Sequence, residues 1–471
     1  MLNTASSPFM HTEEPADSVS SLLARHVAGT RYESLPADAV RASKALILDT
    51  LSVAWAGANA TGIEQARYAL SDVAQAGHES HGSACRIWGM HASAPALDAA
   101  FVNSAAAAAL DFDPLHLDAV MHSQIMTLPA LMAVAQQFRC RGKDFLAALV
   151  LADDINCRLS LSAQGHDGWF FTSIFGIFGT AAASAKLMGG DQAVISNALG
   201  IALFQVAGTQ QSMLEKSLTK RFMAAFSARG GVFSAMLASA GITAPSMPLE
   251  GRFGLSSLYQ TCDFDKALLQ LGDKYENSAI HIKKYPCCGC SHALIEATLA
   301  LTEKHSVRAG DVARISVRIS EFMNRMIGGE FLLDKQDPAV LAQFNAKYAV
   351  ACALLRHRFE LEDLEPASVR DPAIGDIAER IAIEIDPENN GELVPATVIL
   401  ELASGQKLSQ RIDVFPGATS AEFAPSALQQ KARGCLKMGL APLGPAQIDS
   451  LIERVENIES VTNMADFFLG M

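Results

Sequence analysis

The segment LDFDPLHLDAVMHS, residues 110–123, concentrates three carboxylates (Asp111, Asp113, Asp118) and two imidazoles (His116, His122) within twelve positions. An Asp/His pair can move a proton to or from carbon near neutral pH, because the carboxylate orients the imidazole and tunes its charge. The alanine-rich run SAAAAAL before it reads as a buried helix that Pro114 ends or turns, so the polar groups stand on a loop at the end of a rigid element. A metal site and a solvated acidic loop are the alternative readings of the same residues.

Two further segments carry cations. EKSLTKRF, residues 215–222, places Lys216, Lys220 and Arg221 at the start of an Ala/Gly-rich helix, where the helix dipole also favours an anion such as a substrate carboxylate. The alternative is a set of surface cations flanking a helix. HIKKYPCCGCSHA, residues 281–293, supplies Lys283 and Lys284, a Pro286/Gly289 loop, and His281 and His292 on either side. Its Cys287, Cys288 and Cys290 are spaced too tightly for the usual zinc ligand pairs, and no second cysteine pair follows. A nucleophilic cysteine there lacks an identifiable base. Tyr348, in FNAKYAV, lies on a helical segment and by itself reads as a packing residue. Signatures of dinucleotide, P-loop, zinc-protease and serine-hydrolase sites are absent from the chain.

The elements that position these groups are mostly helical. With 471 residues, half of them hydrophobic and 18% charged, the chain is large enough for two domains and rich enough in apolar material for a substantial core. Segments such as ADAVRASKALILDTLSVAWAG and FLAALVLADDINCRLSLSA repeat apolar residues at three- and four-residue steps. Beyond about residue 265, RISVRIS (314–320) and ATVILELASGQKLSQRIDV (396–414) alternate, the second with a Ser-Gly hairpin turn at 404–405. After Pro416 the helical pattern returns. The expectation is a mainly α chain with an α+β part: a flexible tail over 1–16, a large all-α domain from 17–265 and 417–471, and an inserted smaller α+β lid domain over 266–416. The uncharged run Gln192–Leu214 is polar enough to be a buried helix rather than a membrane span. A net charge of −13 disfavours nucleic acid and anionic membranes as partners, and nine irregularly spaced cysteines fit reduced thiols in the cytoplasm. The first residues lack the basic and apolar regions of a secretory signal.

Taken in order, LILDTLSVAWAG, AFVNSAAAAALDFD, FGIFGTAAASAKLMG, TKRFMAAFSARGG, GITAPSMPLEGRFGL, IKKYPCCGCSHALIEA and QFNAKYAVACALL resemble the MmgE/PrpD family over nearly the whole chain. That family includes 2-methylcitrate dehydratases, cis-aconitate decarboxylases and an iminodisuccinate epimerase. The resemblance implies a helical domain with a smaller α+β lid, a homodimer, and no metal or organic cofactor. It implies a catalytic Asp111, with His122 as the proton-transfer group oriented by that aspartate. Lys220, Lys283 and Arg221 would hold the carboxylates of a small di- or tricarboxylate, His292 would match the histidine of the next loop, and Tyr348 would be a second acid/base from the lid. The expected reaction is proton abstraction next to a carboxylate, as in a dehydratase. Epimerisation, decarboxylation and non-catalytic carboxylate binding are the alternatives. Ala108, Phe170 and Met223 stand where the family pattern keeps histidines, and Asp113-Pro114-Leu115 replaces its usual continuation of the aspartate motif.

Overall fold

The computed structural model describes residues 18–74, 85–166, 168–333 and 337–471. The tail expected over 1–16 lies outside them. The first half is helical, as its apolar spacing requires: α1 (Val19–Gly29), α2 (Ala37–Gly57), α3 (Ala96–Ala109), α4 (Gln124–Gln137), α5 (Gly142–Leu161), α6 (Phe171–Leu187), α7 (Gln192–Ala202) and α8 (Met223–Ser239). Side chains of Ser18 and Asp191 cap α1 and α7 by accepting from backbone N–H groups of their first turns.

Small residues set how closely these helices approach. A side-chain carbon at Gly57, on α2, would come within 2.1 Å of the Ala106 carbonyl oxygen on α3. One at Gly231, on α8, would meet Thr180 of α6 at 2.7 Å. The uncharged run after residue 192 is not the single buried helix expected. α7 stops at Ala202, Gly208 has φ +119°, and Phe204 is 74% exposed. Gln205 is the anchor there, donating to the Gly230 carbonyl and Ser234 hydroxyl on α8. Among the described residues no helix is long and apolar enough to cross a membrane.

Two short strands, β1 (Leu115–His116) and β2 (Ile280–Lys283), pair antiparallel and carry the chain out of the helical mass. Next come α9 (Gly289–His305), β3 (Val312–Ile319), α10 (Glu321–Ile327), α11 (Ala346–Arg356), β4 (Ile381–Ile385), β5 (Ala396–Leu402) and β6 (Lys407–Ile412). They form a four-stranded sheet in the order β4-β3-β5-β6, in which only the β3–β4 pair is parallel. β3 turns Val312, Ile315, Val317 and Ile319 inward, α9 packs on the sheet at β5 and β6, and α11 packs on α9. The β5–β6 hairpin turns at Ser404-Gly405, with Gly405 at φ +83°, as the sequence pattern anticipates. Finally β7 (Gly417–Thr419) pairs with β2, and the chain returns through α12 (Pro425–Leu436) and α13 (Pro445–Glu456).

There are two main buried cores. The larger unites α1–α8 with Leu428 and Leu436 of α12 and Ile448 and Leu451 of α13, so both ends of the chain build it. The smaller fills the space between the mixed sheet and its helices. Tyr275, Ile280 and Ile282 pack in the larger core, and Tyr285 in the smaller.

The contact at Gly57 ties this packing to the acidic loop that leaves α3. Gly57→Val is expected to destabilise the protein by about 2 kcal/mol or more through overpacking, with a lower urea midpoint and reduced turnover. An unchanged midpoint would show that α2 and α3 do not pack this closely.

Candidate active site

α3 ends at Ala109, and Asp111 follows in the left-handed region at φ +51°. An aspartate tolerates that conformation better than most residues, yet its presence here is a feature that the surroundings must hold in place. They do so through Lys283, whose buried ammonium donates to the Asp111 carbonyl oxygen at 2.8 Å and to its Oδ2 at 3.2 Å. Oδ1 of the same carboxylate is paired with the Lys220 ammonium. Burial acts against the charge on Asp111, but Lys220, Lys283 and His122 outweigh it and hold the carboxyl well below its ordinary range. Conversely, burial would lower the Lys283 ammonium, but Asp111 and Asp113 keep it firmly protonated.

His122 sits just before α4. Its backbone N–H donates to Thr172 Oγ1 at 3.1 Å, and its ring Nδ1 lies 2.6 Å from Oδ2 of Asp113. The orienting carboxylate is therefore Asp113, not Asp111 as expected; Asp111 is taken up by the two lysines. Burial raises Asp113, but His122 and Lys283 reverse the balance and leave it below the usual carboxylate range. An ionised Asp113 fixes a proton on Nδ1, so Nε2 is the nitrogen presented for proton transfer. The start of α4 is fixed in turn by buried Asp153 of α5, which accepts from Ser123 Oγ at 2.7 Å and Thr127 Oγ1 at 2.8 Å.

The rest of the acidic loop is scaffold. The His116 and Met121 backbones pair in both directions, the His116 ring accepts from the Ala119 N–H, and its other nitrogen faces Glu276 at 3.4 Å. Asp118 is exposed. Beneath the loop, Lys431 of α12 donates to the carbonyls of Phe112 and Lys283, pairs with buried Asp49 at 2.7 Å and covers the Phe112 ring. Nothing in the local sequence around Lys431 signals this role, because its partners are more than a hundred residues away.

Three expected site residues stand elsewhere. Arg221 points away from Lys220: its guanidinium donates to the Thr61 carbonyl at 2.5 Å and lies 4.0 Å from Asp337. Successive residues of the short turn Leu218–Phe222 leave it in different directions, so one cation enters the cleft and the next does not. Tyr348 is fully buried in the smaller core, its hydroxyl donating to the Asp363 carbonyl. His292 is buried behind the cleft wall, stacked on Phe415, with Nδ1 3.4 Å from the Pro416 carbonyl. Burial, with help from Lys283, lowers its imidazole to about 3. Cys288, Gly289 and Cys290 do line the cleft. Among the described residues no three His, Cys, Asp or Glu side chains are grouped as metal ligands would be.

Asp111, Asp113, His122, Lys220 and Lys283 thus share one cleft between the two cores, with a cavity volume of about 90 Å³. The helical side supplies them, together with Ala108, Phe170 and Phe171; Phe322, Met326, Phe344 and Leu393 close it from the other side. His166 also lines it, 4.3 Å from the Phe171 ring. Met223 does not line it; its carbonyl accepts from Ser173. A dyad able to transfer one proton, beside two ammonium groups and largely apolar walls, suits reactions that build negative charge next to a carboxylate.

Residues 21–265 match the model of the MmgE/PrpD N-terminal domain, and residues 285–458 match that of the MmgE/PrpD C-terminal domain. Among curated proteins, a cis-aconitate decarboxylase-like protein of Aspergillus oryzae is 26% identical, covering 95% of this chain and 94% of its own. The cis-aconitate decarboxylase of Aspergillus terreus is 24% identical over 85% of this chain and 87% of its own. The human cis-aconitate decarboxylase is 24% identical over 94% and 92%.

Two stability measurements check the charge assignments. Asp111→Asn leaves two ammonium groups without their counter-charge and is expected to cost about 3–5 kcal/mol; a loss under about 1 kcal/mol would mean the lysines are solvated. His292 is neutral when folded and takes a proton near 6.5 when unfolded. The unfolded state therefore binds more protons between about pH 6.5 and 3, and stability falls as pH drops through that window. His292→Phe should match the native protein at pH 7 and retain more of its stability at pH 5. Parallel losses in both proteins would remove His292 as an acid-sensitive group.

Proposed function

The chain belongs to the MmgE/PrpD family, and on that premise we propose that it is a lyase that acts without a metal or organic cofactor on a small di- or tricarboxylate, by decarboxylation. The observation that carries this reading is the half-buried His122–Asp113 dyad facing the Lys220–Asp111–Lys283 group. Dehydration, the reaction first expected, takes a proton from carbon and gives one to a departing hydroxyl. Tyr348, the expected second acid, is bonded to a backbone carbonyl away from the cleft. Decarboxylation needs one proton transfer, which one dyad supplies.

In this reading Lys220 and Lys283 receive substrate carboxylates, among them the one into which the electron pair moves. The C–C bond to the departing carboxylate breaks, its electron pair moves into the adjacent conjugated carboxylate, and carbon dioxide leaves. The ammonium groups stabilise the accumulating oxygen charge, and they need little reorganisation because Asp111 has already fixed them. His122, having taken a proton from water on Nε2, delivers it to the carbon bearing the pair and returns to the neutral ring. Asp113 holds Nδ1–H throughout. The apolar walls favour loss of the carboxylate as a neutral gas. The names of the curated relatives support the same reaction class.

The division into a helical domain (17–265 with 417–471) and a lid (266–416), a cytoplasmic location and a homodimer belong to the same proposal. All nine cysteines are free, which suits a reducing compartment. Phe226 and Phe233 project from α8 at 59% and 43% exposure, two turns apart, an apolar face suited to a second copy.

His122→Gln and Lys220→Ala are each expected to lower kcat by about a hundredfold or more, measured as carbon dioxide release with proton NMR of products in D₂O. Near-native rates in both would remove the site assignment, and loss of water without carbon dioxide would replace decarboxylation by dehydration. For the assembly, Phe226→Glu with Phe233→Glu should convert a dimer to a monomer in sedimentation equilibrium; an unchanged dimer would place the interface elsewhere.

A further inference from the structure

The charge and shape of the cleft carry a statement about the substrate that rests on the reading of this site as a carboxylate lyase. Among the described residues two lysines face the cleft, Lys220 and Lys283, and both are already paired with Asp111. Arg221 is turned toward Thr61 and Asp337, and the exposed rim adds the negative Glu392. Two lysines serve at most two carboxylates, so a third would enter beside Asp111, Asp113 and Glu392 with no further lysine or arginine among the described lining residues to receive it.

The remaining walls are hydrocarbon. Thirteen of the twenty-four residues that line the cleft are Ala, Val, Leu, Ile, Met or Phe. The side opposite the dyad is formed by Phe322 and Met326, one turn apart on α10, with Phe344 and Leu393, and Phe170 faces in from the helical side. Phe322 and Met326 are half-buried, whereas Met323 and Ile327 on the other face of α10 are wholly buried in the smaller core. The short helix thus offers two apolar faces, one used for folding and one turned to the cleft. Lys220 marks the border between the charged and apolar regions, its ammonium 4.8 Å from the Phe344 ring centre.

We propose that the substrate is a dicarboxylate bearing a hydrocarbon arm, with the carboxylates at Lys220 and Lys283 and the arm against Phe170, Phe322, Met326, Phe344 and Leu393. The arm occupies the place where a tricarboxylate would carry its third carboxylate. Burial of each methylene against these side chains replaces its contact with water, which sets the expected gain per carbon.

Glutaconates substituted at carbon 3 provide the test, with hydrogen, methyl, propyl or hexyl as the arm, and with cis-aconitate as the member whose arm is a third carboxylate. Binding to the full-length protein is measured by calorimetry, and carbon dioxide release separately. Affinity is expected to rise about fourfold per methylene over the first few carbons, with 3-propylglutaconate at least tenfold tighter than cis-aconitate. Met326→Lys should reverse that order, and the uncharged Met326→Gln should weaken only the alkyl compounds. Tighter binding of cis-aconitate than of every 3-alkylglutaconate, affinity independent of arm length, or no binding by any member would each overturn the proposal. Arm-dependent binding without carbon dioxide release would leave this inference standing and remove the decarboxylation reading; release from cis-aconitate alone would do the opposite.

Discussion

Asp111 is one carboxylate, in an uncommon backbone conformation, placed between two lysines that neither neighbouring segment holds by itself. Without it, a buried ammonium at Lys283 and a second at Lys220 would stand together, and the loop leaving α3 would lose the bonds to its carbonyl and side chain. Burying charged groups is expensive unless each finds its partner. Here the partners come from three distant parts of the sequence: the end of α3, the turn before α8, and strand β2. Correct packing of the larger core and correct assembly of the cleft are therefore the same event. Lys431 extends the dependence to the C-terminal helices, since it binds the carbonyls of Phe112 and Lys283 from below.

The same node explains why a net-negative protein can accept an anion. Asp111 keeps the lysines charged and directed, so a carboxylate entering the cleft meets fixed donors instead of flexible surface cations. The cost is that the lysines are shared, which limits how much negative charge the cleft holds and gives weight to its hydrocarbon walls. Proton transfer is kept separate, on His122 and Asp113, so that one carboxylate orients the imidazole and another organises the cations.

Much of this was legible in the sequence, for identifiable reasons. The helical half announced itself through apolar spacing, and the β5–β6 hairpin through alternation around Ser404-Gly405. Asp111, His122, Lys220 and Lys283 stood out because charged residues flanking alanine-rich or Pro/Gly-punctuated segments have few structural reasons to be there. Less could be read where direction decides. Adjacent Lys220 and Arg221 look equivalent as letters, yet the turn sends one into the cleft and the other to Thr61. Asp111 and Asp113 are two residues apart, and only the left-handed turn at Asp111 decides which of them meets His122. Tyr348 matched a motif while its hydroxyl was bound within the smaller core. The uncharged stretch after α7 lacked the charges that usually mark an irregular segment, so its break at Gly208 went unseen.

The most direct test is the tautomer of His122, read by long-range proton–nitrogen correlation on protein carrying ¹⁵N-histidine, with the signal assigned by its absence in His122→Gln. At alkaline pH a neutral ring with the proton on Nδ1 and a pyridine-like Nε2 is expected, and Asp113→Asn should disturb it while leaving the other histidines in place. A neutral ring protonated on Nε2 instead, or one indifferent to Asp113, would contradict the dyad on which the proposed chemistry depends.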